Sequence, residues 1–183
     1  CCGVSDWVAF GDGLPDGFGV ALVSAWASAR PFGEALAELT RSDAAARFGL
    51  PNDPTGHPII LANLERLAVG LERVRVVLGD VPVHIISGYR SPAVNRIVGG
   101  HPSSQHLRGL AADFVAPEAG TPRAVALTLR ENFLHIGYDQ LVLEFAGASG
   151  GWVHVSFPEG DKLPRCEALT IVDRKTGYTK GIA

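Results

Sequence analysis

Over residues 59–77 the apolar residues Leu61, Leu64, Leu67, Ala68, Leu71 and Val74 recur mostly three or four positions apart. That spacing puts them on one stripe of an α-helix, and it is the feature that most limits the fold. A helix of this length must lay its stripe on something, and Gly79 supplies its end. Beyond Gly79 the chain becomes a series of short β-rich runs cut by turn residues. Residues 81–87, 111–115, 140–145, 152–157 and 169–172 read as strands. Between them, Ser91-Pro92 opens a short helix that Gly99-Gly100 ends, and Thr121-Pro122 opens another that runs to about Phe133. Ahead of the long helix, Ser42 is placed to cap a turn ending near Gly49, and residues 51–58 form a loop. The sum is α+β: helices beside a mixed, mostly antiparallel sheet.

The 183 residues fit one domain, read as 35–183, preceded by an arm or lead-in over 1–34 in which residues 20–29 form a short helix. Hydrophobic residues at 46% and charged residues at 19% can build a core and exclude a disordered chain. A net charge of −3 argues against a basic nucleic-acid binder. No apolar run reaches the ~18 residues that span a bilayer. Three cysteines, Cys1, Cys2 and Cys166, make no disulfide framework, and Cys166 is expected to be a buried structural thiol. The sequence contains no methionine and starts at Cys1, which predicts a processed chain or a piece of a longer one. A lipoprotein after signal cleavage and a simple processing boundary both account for that start.

The chemistry is concentrated in three places. Ser87-Gly88-Tyr89-Arg90-Ser91 comes first, then Ser104-x-His106-x-x-Gly109-x-Ala111-x-Asp113, then Trp152-Val153-His154. His106 ends a loop, Asp113 lies in the strand after it, and His154 lies in a later strand. If those strands are neighbours, two imidazoles and a carboxylate converge. That donor set suits Zn²⁺ and leaves a fourth position for water, whose pKa the metal lowers to about 7. The competing reading of each histidine is an ordinary core or surface residue. His57, His84, His101 and His135 have weaker claims as ligands.

These ordered motifs resemble the zinc D-alanyl-D-alanine peptidase family, in the branch common among phage cell-wall proteins. The resemblance covers roughly residues 32–157. It implies a hedgehog/DD-peptidase fold, with helices packed on a mostly antiparallel sheet that carries a zinc site. Carried over, it assigns one Zn²⁺ to His106, Asp113 and His154. It gives Arg90 the role of binding substrate and polarising the scissile carbonyl, against the alternative of a structural salt bridge. Ser104 hydrogen-bonds substrate or supports His106, unless it is only a turn or cap serine. Asn95 is structural.

The chain departs from the family pattern at the general base. Many members carry a carboxylate or histidine two or three residues before the last zinc-binding histidine, where this chain has Gly151 and Trp152. Glu144, on the preceding strand, is the candidate base, and Asp139 stands second. The connection of residues 146–151 is long for the phage-type pattern. Trp152 packs or lines the cleft. The resemblance implies a peptidase cutting peptidoglycan stem peptides by metal-activated water, as a carboxypeptidase or an endopeptidase. A carboxypeptidase needs a cationic pocket for the terminal carboxylate, for which Arg90 and Arg108 are candidates. The alternative is a zinc-containing module, without catalysis, that binds cell wall or builds a virion. An unrelated zinc hydrolase is a third, weaker reading. The expected setting is extracytoplasmic or virion-associated, with a peptidoglycan peptide as partner, no nucleic acid, and a possible place in a tail or virion assembly.

Overall fold

Pro58 opens the long helix at a position where its missing N–H costs nothing. In the computed structural model, which describes residues 32–147 and 150–183, that helix is α3, Pro58–Val77. Before it come α1, Phe32–Thr40, and α2, Asp43–Phe48. Ser42 caps α2 by accepting from the Ala45 amide at 3.1 Å, and Gly49 ends it at φ 61°. Leu64, Leu67 and Val74 of α3 are fully buried, as the stripe predicts. Among the described residues, no helix is long and apolar enough to cross a membrane. The arm expected over 1–34 lies outside the described residues as far as residue 31, as do Cys1, Cys2 and the helix expected over 20–29.

Strand β1 is His84–Ser87, shorter than the expected 81–87. Pro82 has no N–H to give a ladder, so pairing starts beyond it. Helix α4, Pro92–Ile97, follows its Ser91 cap. A 3₁₀ turn, Gln105–Arg108, leads into β2, Ala111–Val115. After a second 3₁₀ turn, Pro117–Ala119, comes α5, Pro122–Glu131. The expected continuation to Phe133 does not form. The chain breaks at Asn132 into a single turn, α6, Phe133–Ile136, which Gly137 ends at φ 70°. Strand β3 is Gln140–Glu144, and Phe145, at φ 52°, leaves the extended conformation and stops it. Strand β4 is Trp152–Ser156. Strand β5 is Glu167–Ile171, two residues earlier than expected at its start, and β6, Tyr178–Lys180, is not anticipated by the sequence pattern. Cys166 is half-exposed rather than buried, because its own φ of 53° turns the chain into β5 at the surface.

The six strands run in the order β1-β2-β4-β3-β5-β6. All pairs are antiparallel except β3 with β5, which makes the sheet mixed. Side chains alternate across it. One face carries Phe114, Val153, Val155, Leu141 and Leu143, all buried, packed in one core with the α3 stripe and with Val125 and Leu129 of α5. The other face carries Asp113, His154, Val142 and Glu144. Their pairing, Asp113 with His154, Val142 with His154 and Glu144 with Trp152, puts them side by side on the floor of a cleft.

Candidate metal centre and cleft

Each metal-ligand candidate is held by a different element. Asp113 and His154 are direct neighbours across the β2–β4 ladder. His106 sits in the 3₁₀ turn rather than in an open loop. Gly109 ends that turn at φ 69°, and a Cβ there would stand 3.0 Å from Leu64 Cγ and 3.1 Å from the Ile60 carbonyl. Glycine therefore lets the turn lie flat on α3. His106 Nδ1 donates to the Gly88 carbonyl at 2.7 Å. A carbonyl only accepts, so this bond fixes the proton on Nδ1 and turns the Nε2 lone pair inward.

Three ligand atoms then meet. His106 Nε2 stands 3.2 Å from Asp113 Oδ1 and 3.2 Å from His154 Nδ1, and His154 Nδ1 stands 2.8 Å from Asp113 Oδ1. All three residues are buried. Ligands of a tetrahedral zinc stand about 3.3 Å apart. Two atoms of this triangle are lone-pair acceptors in the neutral state, and at most one proton, on His154 Nδ1, is shared among the three. A cation is what such an excess of lone pairs accommodates, so the donor set fits a metal ion.

The electrostatics match. Burial pushes His106 below its ordinary pKa, against the pull of Asp113, and so favours the neutral ligating ring. Burial opposes the charge of Asp113 as well, but His106 and His154 hold its carboxyl well below the usual range. Asp113 Oδ2 is ion-paired with Arg90 Nη2, while Arg90 Nε donates to Ser87 Oγ at 2.8 Å. The pair leaves Asp113 Oδ1 turned to the imidazoles. Arg90 therefore reaches the site and also makes the structural ion pair that was its alternative reading.

The remaining candidates separate clearly. Ser104 lines the cleft at the start of the 3₁₀ turn and makes no side-chain cap bond. Glu144 is half-buried on the same face as Asp113 and His154. Burial, and then the charge of Asp113, push its carboxyl up, with His154 and Arg90 opposing. Asp139 lines the cleft but is committed to Arg165, whose Nη2 lies at 2.7 Å, and to Gln105 Nε2 at 3.0 Å. Burial would raise its carboxyl, yet the Arg165 bonds win and hold it low. Arg108 pairs with Glu159 at 3.2 Å. Asn95 is structural, its amide donating to the His101 carbonyl at 3.0 Å. Trp152 packs against Phe145 with ring centroids 5.1 Å apart.

The cleft has a volume of about 1180 Å³. Its far side is made by residues that sequence reasoning missed: Leu169 and Ile171 of β5, and Tyr178 and Lys180 of β6. Leu169 and Ile171 join Val142 in a small apolar cluster on the floor. Tyr178 stays largely exposed, and partial desolvation and then the charges of Glu144 and Asp113 push its phenol up. Residues 169–172 already read as a strand, but nothing in them tells which strand β5 joins or that it lines the cleft. Three residues are too short to show a period, so β6 leaves no signal.

No curated protein matches the chain. A family model described as Peptidase M15 matches residues 35–156, from helix α1 through the end of β4, with Arg90, His106, Asp113, Glu144 and His154 all inside. The match takes in more than half of the sequence, and the chain belongs to the Peptidase M15 family.

Proposed function

We propose that this chain is a zinc-dependent peptidase that hydrolyses stem-peptide bonds of peptidoglycan, at a D-Ala-D-Ala terminus or at an internal crosslink. The observation that carries the reading is the buried triangle of ligand atoms on His106, Asp113 and His154, on the floor of a cleft that also holds the Glu144 carboxyl. His106, Asp113 and His154 would hold the zinc, which supplies Lewis acidity that activates water and polarises a carbonyl. Glu144 takes the proton from the attacking water and gives it to the leaving amine, and its raised carboxyl suits both halves of that exchange. Arg90 spends Nε on Ser87 Oγ and Nη2 on Asp113, which leaves Nη1 for the carbonyl oxygen as negative charge develops. Ser104, with no cap bond to make, is available to hydrogen-bond the peptide.

A second reading, a cell-wall-binding or virion module without catalysis, is favoured by one observation. Gly151 and Trp152 stand where many family members carry a proton carrier. Mass spectrometry of purified peptidoglycan, incubated with zinc-loaded and chelator-stripped protein, separates the two. Zinc-dependent loss of terminal D-Ala marks a carboxypeptidase, and loss of crosslinked dimers marks an endopeptidase. Binding without any new product establishes the second reading. The substrate lies outside the cytoplasm, so the setting we propose is extracytoplasmic or virion-associated.

A further inference from the structure

The family match stops at residue 156, where β4 ends. The sheet does not stop there. Residues 167–180 return as the β5–β6 hairpin, and β5 pairs parallel with β3, which would otherwise be an edge. The hairpin is held firmly. Thr170 Oγ1 donates to the Gly181 carbonyl at 2.8 Å, and the tip residue Arg174 donates to the Val98 carbonyl beyond α4 at 3.2 Å. This addition lengthens the cleft floor past Val142 with Leu169 and Ile171 and ends it with Tyr178 and Lys180.

The cleft cations differ in what they already hold. Arg90 is paired with Asp113, Arg108 and Lys162 with Glu159, and Arg165 with Asp139. Arg174, which also lines the cleft without a carboxylate partner among the described residues, is tied to the Val98 carbonyl at the hairpin tip. Lys180 has no carboxylate partner among the described residues. Glu167, on the neighbouring strand, is taken by Gln140 at 2.6 Å and Arg165 at 3.3 Å. The registers place Asp113, His154, Val142, Leu169 and Lys180 in one row across the sheet. Lys180 is three strands from His154, which is about 14 Å at the usual strand spacing. An extended peptide advances ~3.4 Å per residue, so four residues cover that distance, and the reach of the lysine side chain reduces the number to between roughly two and four.

We propose that Lys180, set on this added hairpin, is a specificity residue that binds a substrate carboxylate lying roughly two to four residues from the bond that is cut. The proposal rests on the peptidase reading above. It makes the preferred bond an internal one, because the carboxylate of a single released residue lies too close to the metal ligands to reach Lys180. The competing role for Lys180 is a charge that blunts the exposed edge of β6 against pairing with other chains. That role is blind to substrate charge.

The test compares peptidoglycan whose stem carboxylates are free with the same material after chemical amidation. Zinc-loaded wild type is expected to cut the free-carboxylate material with a roughly two- to fivefold higher kcat/KM, the size of an ion pair made by an exposed lysine. Lys180→Met is expected to lose that preference through KM, and Lys180→Arg to keep it. Lys175→Met, altering a cation of the same hairpin that does not line the cleft, also keeps it. Equal cutting of both materials by wild type overturns the proposal and leaves the peptidase reading standing, as does a preference that survives in Lys180→Met or a product consisting only of single terminal residues. No cutting of either material overturns both.

Discussion

Replacing Gly88 by alanine tests whether the metal centre is built from backbone outward. A Cβ at Gly88 would stand 2.3 Å from the Leu39 carbonyl oxygen of α1. Non-bonded heavy atoms rest at ~3.5 Å, so one of the two backbone segments must move by roughly 1 Å. Neither moves freely, because the next residue, Tyr89, donates its amide to that same Leu39 carbonyl at 2.7 Å. Overpacking of this kind costs about 1–3 kcal/mol. For a chain of this size, about 2 kcal/mol lowers Tm by about 4–8 °C. The displaced Gly88 carbonyl is also the group that holds His106 Nδ1. If the site holds zinc as proposed, losing that partner is expected to weaken its affinity by about 10–100-fold. Thermal melts and calorimetric zinc titration read the two effects. The control is Gly70→Ala, whose Cβ would meet the buried Phe157 ring at 2.3 Å on the helix side of the sheet. It is expected to lower Tm without changing zinc affinity. Wild-type zinc affinity in Gly88→Ala would refute the idea that the Gly88 carbonyl sets the His106 ligand.

Glu144→Gln is expected to cut hydrolysis by about 10²–10⁴-fold while calorimetry finds zinc binding intact. The folded Glu144 carboxyl lies above its ordinary value, so the metal-free protein loses stability as pH rises through that raised value. Urea midpoints of Glu144→Gln should lack that slope. Asp139 has the opposite sign. Its folded carboxyl lies low, so its contribution is present above the unfolded value near ~4 and fades as pH falls through the folded one. Asp139→Asn should cost roughly 1.5–3 kcal/mol at neutral pH and flatten the acid limb of the urea midpoint. Chelation should lower Tm, and free zinc at about 100 times its Kd should restore about 2.7 kcal/mol, read as a shift in the melt.

Local chemistry made part of this molecule legible before any fold was known. The α3 stripe, the Ser42, Ser91 and Thr121 caps, and the glycines at 49 and 99 depend on neighbours within one or two turns, and a sequence displays such neighbours directly. The order of Arg90, His106, Asp113 and His154 also named the set that the fold gathers. Tertiary structure alone decided the rest. Which nitrogen of His106 faces inward depends on a carbonyl 18 residues away in sequence, and Arg165 claims Asp139 from 26 residues away. The parallel seat of β5 on β3 and the presence of β6 are set by pairing across the sheet, where three residues of strand carry no period of their own. Caps and stripes are short-range and appear in sequence order. Register, tautomer and ion-pair choice come from segments that meet only when the chain folds, and they determine what Glu144, Asp139 and Lys180 are free to do.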